Sequence, residues 1–223
     1  MAKYLKKFEN HTAYETAESG LILPNVSICV TEGDVHYNPA PPTIDGHEYV
    51  DLGLPSGTKW AKYNLGATSE TDYGNYYQYG RGGDIYQVTS AQSGYYTGTE
   101  DPLSSSLDAA TQTWGGNWHM PTKTQMRELT ANTTYEWIKV NNVRVAKFTA
   151  QNGNYILLPA AGFYNEGNLI NAKSSAFVWT SSPHYSGSEV YDNYATYIGC
   201  VSDGRSMTGM YRYLGMSVRP VVG

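Results

Sequence analysis

The chain has 223 residues, enough to bury a substantial core in one large domain or in a domain with a small companion. Lys plus Arg number 15 and Asp plus Glu 20, a net charge of −5, and charged residues make up 16% of the chain. This mildly acidic, weakly charged composition carries no counterion-release footprint for nucleic acid, and no window approaches the roughly eighteen consecutive apolar residues of a membrane span.

Residues 1–43 read as a small module with a stiff tail. Met1 to Asn10 carries lysines without a following apolar stretch, so no secretory signal is expected. The expected location is therefore the cytoplasm, or the outside of the cell reached by lysis or by assembly into a particle. Thr12 to Ser19 could form a short helix ending at Gly20, Leu21 to Val30 reads as strand, and Gly33-Asp34 turns the chain toward Val35-His36-Tyr37. A piece of this length cannot build its own core, so it is expected to dock or oligomerise. Asn38-Pro39-Ala40-Pro41-Pro42 is the best linker, lacking backbone donors at three positions.

From Ile44 the chain changes to short elements separated by Gly, Asn and Ser. Tyr49 to Leu54 and Lys59-Trp60-Ala61 read as strands around a Pro55-Ser56-Gly57 turn. Ser105 to Ala110 is a weak helix candidate, and Thr122-Lys123-Thr124-Gln125 has capping-box spacing for a better one. Trp137 to Val140 and Val143 to Phe148 alternate around Asn141-Asn142, a hairpin signal. Tyr155 to Leu158 and Ala176 to Trp179 add further strands, giving an α+β class.

The most unusual count is 21 tyrosines against 5 Trp and 4 Phe. Seven fall between Tyr73 and Tyr96 and six between Tyr185 and Tyr213, neither window with a clean apolar period. The first window reads as a long loop region. For any single ring, cross-strand pairing on a sheet competes with ligand contact; the second window as a group favours a binding surface.

Catalytic signatures do not assemble. His11, His36, His47, His119 and His184 are scattered without metal-ligand spacing, and no nucleophile elbow or Walker loop occurs. Gly80 to Asp84 is glycine-rich but opens no helix. Cys29 and Cys200, 171 positions apart, read as reduced, small buried hydrophobes. No enzyme activity, cofactor or metal is expected.

Four strings stand in a familiar order: Tyr49-Val50-Asp51-Leu52-Gly53-Leu54-Pro55-Ser56-Gly57-Thr58-Lys59-Trp60-Ala61, Asn117-Trp118-His119-Met120-Pro121-Thr122, Leu157-Leu158-Pro159-Ala160-Ala161-Gly162 and Ser217-Val218-Arg219-Pro220-Val221. Over roughly residues 47–223 they resemble C-type-lectin-fold domains of the kind shared by formylglycine-generating enzymes, major-paralogous-domain proteins and the variable proteins of diversity-generating retroelements. The first residues look like the module that precedes such domains in gut-phage proteins. Formylglycine-generating enzymes rely on a pair of late cysteines, and only Cys200 stands there. Calcium-dependent lectins use Glu-Pro-Asn or Gln-Pro-Asp and Trp-Asn-Asp strings, none of which occurs; Asp192-Asn193 follows Tyr191.

The variable proteins fit best. That resemblance implies a C-type lectin fold over residues 44–223 and a diversified C-terminal surface rich in Tyr, Ser, Asp, Asn, Gly and Thr. The ligand-binding residues it implies are Tyr185, Tyr191, Asp192, Tyr194, Tyr197, Ser202, Asp203, Ser206, Tyr211 and Tyr213, with Trp179 at the edge as either an anchor or core. Ala195, Ile198, Cys200, Val201 and Val218 would form the inward scaffold, and Arg219 a structural charge serving loop carbonyls. The implied partner is a host-surface protein or glycan, with residues 1–43 attaching to a virion or forming a homo-oligomer. The alternatives are a formylglycine-generating-type oxidase, which expects a reactive Cys200, and a structural virion or surface component.

Overall fold

The computed structural model of the protein describes residues 26–31, 34–81 and 95–223. The helix expected over Thr12 to Ser19 lies outside them. The chain divides into two units, Met1–Pro42 and Thr43–Gly223.

In the first unit, β1 (Val26–Thr31) and β2 (Asp34–Pro39) form an antiparallel hairpin with Val30 opposite Val35 and Val26 opposite Pro39. Asn38 and Pro39, expected in the linker, belong to β2. A two-stranded ribbon consists of edges only, so a proline at its end removes no ladder donor that the fold needs.

The second unit is mostly short β-strands with two helices among its described residues, an α+β mixture. β3 (Thr43–Ile44), β4 (His47–Asp51) and β5 (Lys59–Ala61) form one sheet, and the chain's last strand, β16 (Val221–Val222), closes it beside β5. The strand expected to reach Leu54 ends at Asp51. There the Gly53 amide donates to the Asp51 carboxylate at 2.9 Å and Gly53 takes φ +63°, an Asx-type turn, while Leu52 and Leu54 still bury their side chains.

Helix α1 (Ala109–Trp114) begins later than the Ser105 to Ala110 expectation because Asp108 is its cap. The Asp108 carboxylate accepts from the Thr111 and Met120 amides at 2.9 and 2.8 Å, whereas residues 104–108 form only a turn. Helix α2 (Lys123–Ala131) starts where the capping box places it. The Thr122 hydroxyl accepts from the Gln125 amide, and the Gln125 side-chain oxygen accepts from the Thr122 amide. Its Met126 and Leu129 are fully buried.

β7 (Thr133–Val140), β8 (Val143–Ala150) and β9 (Tyr155–Pro159) form a meander, with Asn141 and Asn142 both at positive φ in the hairpin turn. A small sheet runs in the order β11 (Asn168–Ile170), β10 (Phe163–Asn165), β15 (Gly215–Met216), β6 (Tyr77–Gln78). The longest strands, β12 (Ala176–Ser186), β13 (Glu189–Val201) and β14 (Gly204–Tyr211), make a second meander.

Two core clusters flank this last sheet. Val178, Ile198 and Cys200 face one, with Met126, Leu129, Phe148 and Leu158; Trp179, Ala195 and Tyr197 face the other, with Tyr77, Tyr79, Met216 and Val218. Neighbouring residues on a strand point to opposite faces. The sheet is therefore buried on both sides along Ala176–Trp179 and Tyr197–Cys200. The first tyrosine window, read from sequence as a loop region, supplies core instead: Tyr77 and Tyr79 are buried, and the Tyr79 hydroxyl donates to the Ser181 carbonyl at 3.0 Å.

Candidate functional site

The ladder between β12 and β13 is interrupted twice. Between the pairs Trp179–Tyr197 and Pro183–Ala195, β12 takes four steps against two. Between Pro183–Ala195 and His184–Tyr191 it takes one step against four, so Asp192, Asn193 and Tyr194 loop outward from the β12 ladder. Such bulges turn side chains out of the regular alternation. The backbone groups they leave over are met locally: the Thr180 hydroxyl donates to the Thr196 carbonyl, and the Thr196 hydroxyl to the Pro183 carbonyl, each at 2.8 Å.

The excursion carries an aromatic face. Tyr194 lies opposite Tyr211 on β14, with ring centroids 4.4 Å apart. Tyr211 stacks on Tyr213 at 5.1 Å and 21°, Tyr191 meets Tyr194 edge-on at 6.0 Å, and Tyr95 reaches Tyr213 at 6.3 Å. His184 closes the other end, 6.2 Å from Tyr191 and 6.3 Å from Tyr194. It can lie across β14 because residue 209 is glycine: a Cβ there would stand 2.3 Å from the imidazole. Tyr191 and Tyr211 are 47% and 39% exposed, and Tyr194 and Tyr213 are half-buried.

Arg212 anchors the face from beneath, fully buried between Tyr211 and Tyr213. Its Nε donates to the Tyr194 carbonyl at 2.9 Å, Nη2 to Tyr191 at 3.2 Å, and Nη1 to Tyr96 and Gly98 at 3.1 and 2.7 Å. Its guanidinium also lies over the Tyr79 and Tyr96 rings at 5.2 and 5.6 Å. One cation thus fixes the bulge of β13 and the segment bearing Tyr95.

The electrostatics keep the face neutral at its centre. A hydrogen bond with Tyr211, followed by burial, pushes the Tyr194 phenol up to about 12. Burial also raises Tyr213, and burial with Lys123 nearby lowers His184, favouring the neutral imidazole at pH 7. Asp192 is exposed on the excursion.

The residues implied as one site are divided by the fold. Tyr191, Asp192, Tyr194, Tyr211 and Tyr213 come together. Tyr185 sits beside them, its hydroxyl donating to the Asp101 carboxylate at 3.1 Å and its ring 5.9 Å from the Lys123 ammonium. Trp179 and Tyr197 do not belong to the surface. Trp179 is fully buried with its Nε1 donating to the Tyr77 carbonyl at 2.9 Å, and Tyr197 is 8% exposed against Phe177 and Trp179. Both lie where β12 and β13 are covered on each side.

Ser202 and Asp203 lie at the opposite end of the β13–β14 hairpin, about 25 Å away along the strands at their usual rise, and Ser206, five residues from Tyr211 on β14, lies about 17 Å away. The Ser202 hydroxyl bonds the Asp203 carboxylate. That turn is held by the Tyr135 hydroxyl, which bonds the Val201 and Gly204 carbonyls, and by Arg205, which donates to the Thr130 carbonyl at 2.8 Å. Ser206 borders a separate cleft of about 280 Å³ with Thr130, Ile198, Arg205 and Met207.

Sequence reasoning passed over Tyr95, His184 and Arg212. Alternation offers a signal for the last: a residue between two outward tyrosines points inward, and an inward arginine needs a ring of acceptors.

Cys200 is fully buried, and burial pushes its thiol up to about 12. In the folded protein at pH 8, iodoacetamide is expected to leave the Cys200 peptide unmodified by mass spectrometry and to label it only after unfolding. Labelling at the rate of a free thiol would show that the thiol is accessible.

Comparison of the chain with protein-family models, with curated proteins and with solved structures finds no match to any of them.

Proposed function

We propose that residues 44–223 form a C-type-lectin-fold, non-catalytic binding domain of the diversity-generating-retroelement variable-protein type. Its Tyr191–Tyr194–Tyr211–Tyr213 face recognises a macromolecular target, a host-surface protein or glycan, and residues 1–43 attach it to a phage particle. The observation that carries the reading is the exposed, contiguous aromatic face held on a sheet by a buried arginine. Tyrosine gives contact area at low rotamer cost, and a face fixed before contact loses little entropy on binding. The oxidase alternative needs a reactive Cys200, whereas burial raises that thiol, the direction opposite to nucleophile activation.

Replacing Tyr191, Tyr194, Tyr211 and Tyr213 together by Ala is expected to cost roughly 2–6 kcal/mol from the four lost aromatic pairs. The variant should stay folded at 25 °C by circular dichroism while losing binding to target cells or immobilised target. Retained binding, or unfolding of the variant, would count against the reading. The genetic half is checked by DNA sequencing: a near-copy of the codons for residues 185–221 differing at adenines, beside a reverse-transcriptase gene.

A further inference from the structure

The aromatic face has a charge pattern as well as a shape. Across Glu189–Tyr194 and Tyr211–Tyr213 the charged side chains are Glu189, Asp192 and Arg212. Both carboxylates stand on exposed residues, while the guanidinium is buried, occupied by four carbonyls and two inner rings. Glu166 lies close enough to Tyr213 to raise its phenol, and His184 is held toward its neutral form. The nearby ammonium of Lys123 lies at the border, over Tyr185, whose hydroxyl is itself held by the Asp101 carboxylate. The exposed Tyr191 and Tyr211 rings therefore stand beside carboxylates, with the arginine's charge absorbed on the inner side.

Ring quadrupoles of this sign attract cations, arginine above all because its planar guanidinium both stacks and donates hydrogen bonds. Acidic groups repel anionic ligands such as sialylated or phosphorylated chains. We infer that the occupant of the Tyr191–Tyr194–Tyr211–Tyr213 face is a cationic polypeptide segment presenting arginine or lysine side chains. This inference rests on the proposed binding role of the face and narrows it to one chemical class of target.

The test uses the full chain and three probes: a fluorescent peptide of alternating Gly, Ser and Arg, the same peptide with citrulline for arginine, and a neutral N-acetylglucosamine oligosaccharide. Citrulline keeps the planar shape of arginine but lacks its charge and carries an acceptor oxygen in place of one donor NH2 group. Fluorescence polarisation should show the arginine peptide bound, more weakly as salt rises, and the citrulline peptide at least about tenfold weaker. Tyr191→Phe with Tyr211→Phe should stay within about threefold of the parent, Tyr191→Leu with Tyr211→Leu should lose roughly threefold to thirtyfold, and Asp192→Asn should weaken binding about threefold. Equal affinity for the two peptides overturns the inference, as does binding of the oligosaccharide alone or of no probe at millimolar concentration. Where a peptide without preference for arginine over citrulline, or the oligosaccharide alone, binds and is lost on replacing the four tyrosines by Ala, the face stands as a site and only its ligand class fails. Arginine-peptide binding that survives those four replacements overturns both the ligand class and the site.

Discussion

Arg219→Met is expected to destabilise the second unit by about 3–5 kcal/mol, a fall of about 10–15 °C in Tm for a unit of this size. The Arg219 side chain is fully buried; Nε donates to the Asn64 side-chain oxygen at 3.0 Å, Nη1 to the Ala61 and Lys62 carbonyls at 3.1 and 2.9 Å, and Nη2 to the Leu157 carbonyl. Those acceptors come from the end of β5 with the residues just after it and from β9, so one fork joins both to the C-terminal segment. Burial lowers the arginine's pKa, which shows the cost of placing the charge there. An apolar isostere removes that cost and still leaves the acceptors in place without a donor, and buried acceptors without partners are the larger penalty. Arg219→Lys should fall between, because an ammonium keeps the charge without the planar fork. Urea unfolding checks this: the midpoint should drop with m unchanged. A Met variant as stable as the parent would mean that the loop carbonyls find water or rearrange.

The contrast between this residue and the aromatic face shows what the sequence could carry. Arg219 was readable because it sits in a short string, Ser217 to Val221, whose neighbours have fixed inward positions. The capping box at Thr122 and the Asn141-Asn142 turn were readable for a similar reason, since each depends on residues within four positions. Helix α1 was misplaced because its cap, Asp108, also serves the Met120 amide 12 residues away. Trp179 and Tyr197 could not be sorted from Tyr194 by composition, because exposure is decided by what covers each stretch of β12 and β13. The division of the implied site has the same origin. Residues 185–213 are contiguous in sequence, but a hairpin carries Ser202 and Asp203 far from Tyr191, and the excursion at Asp192–Tyr194 is a register effect between two strands.

Arg212→Met should affect the face more than the fold. The expected stability loss is about 2–4 kcal/mol, from four carbonyls deprived of a charged donor, some of them near enough to the surface to recover water. Two of those carbonyls belong to Tyr191 and Tyr194, at the two ends of the excursion, and two to Tyr96 and Gly98 on the segment behind Tyr95. Without the guanidinium both pieces lose their hydrogen bonds to the Arg212 side chain, although the Arg212 backbone amide still donates to the Asn193 carbonyl at 3.0 Å. The Tyr194–Tyr211 and Tyr95–Tyr213 contacts should therefore loosen while both core clusters stay packed. Ring 13C–1H spectra of tyrosine-labelled protein would show this as averaging of the Tyr95, Tyr191 and Tyr194 signals with those of Tyr77 and Tyr79 less changed. Affinity at the face should fall more than tenfold, because the ordering that Arg212 supplies in the free protein must then accompany binding. Arg212→Lys should recover stability better than affinity, since one ammonium can serve one or two of the four acceptors and cannot hold both segments together. Equal losses of stability and affinity in the Lys and Met variants would assign Arg212 a purely structural role.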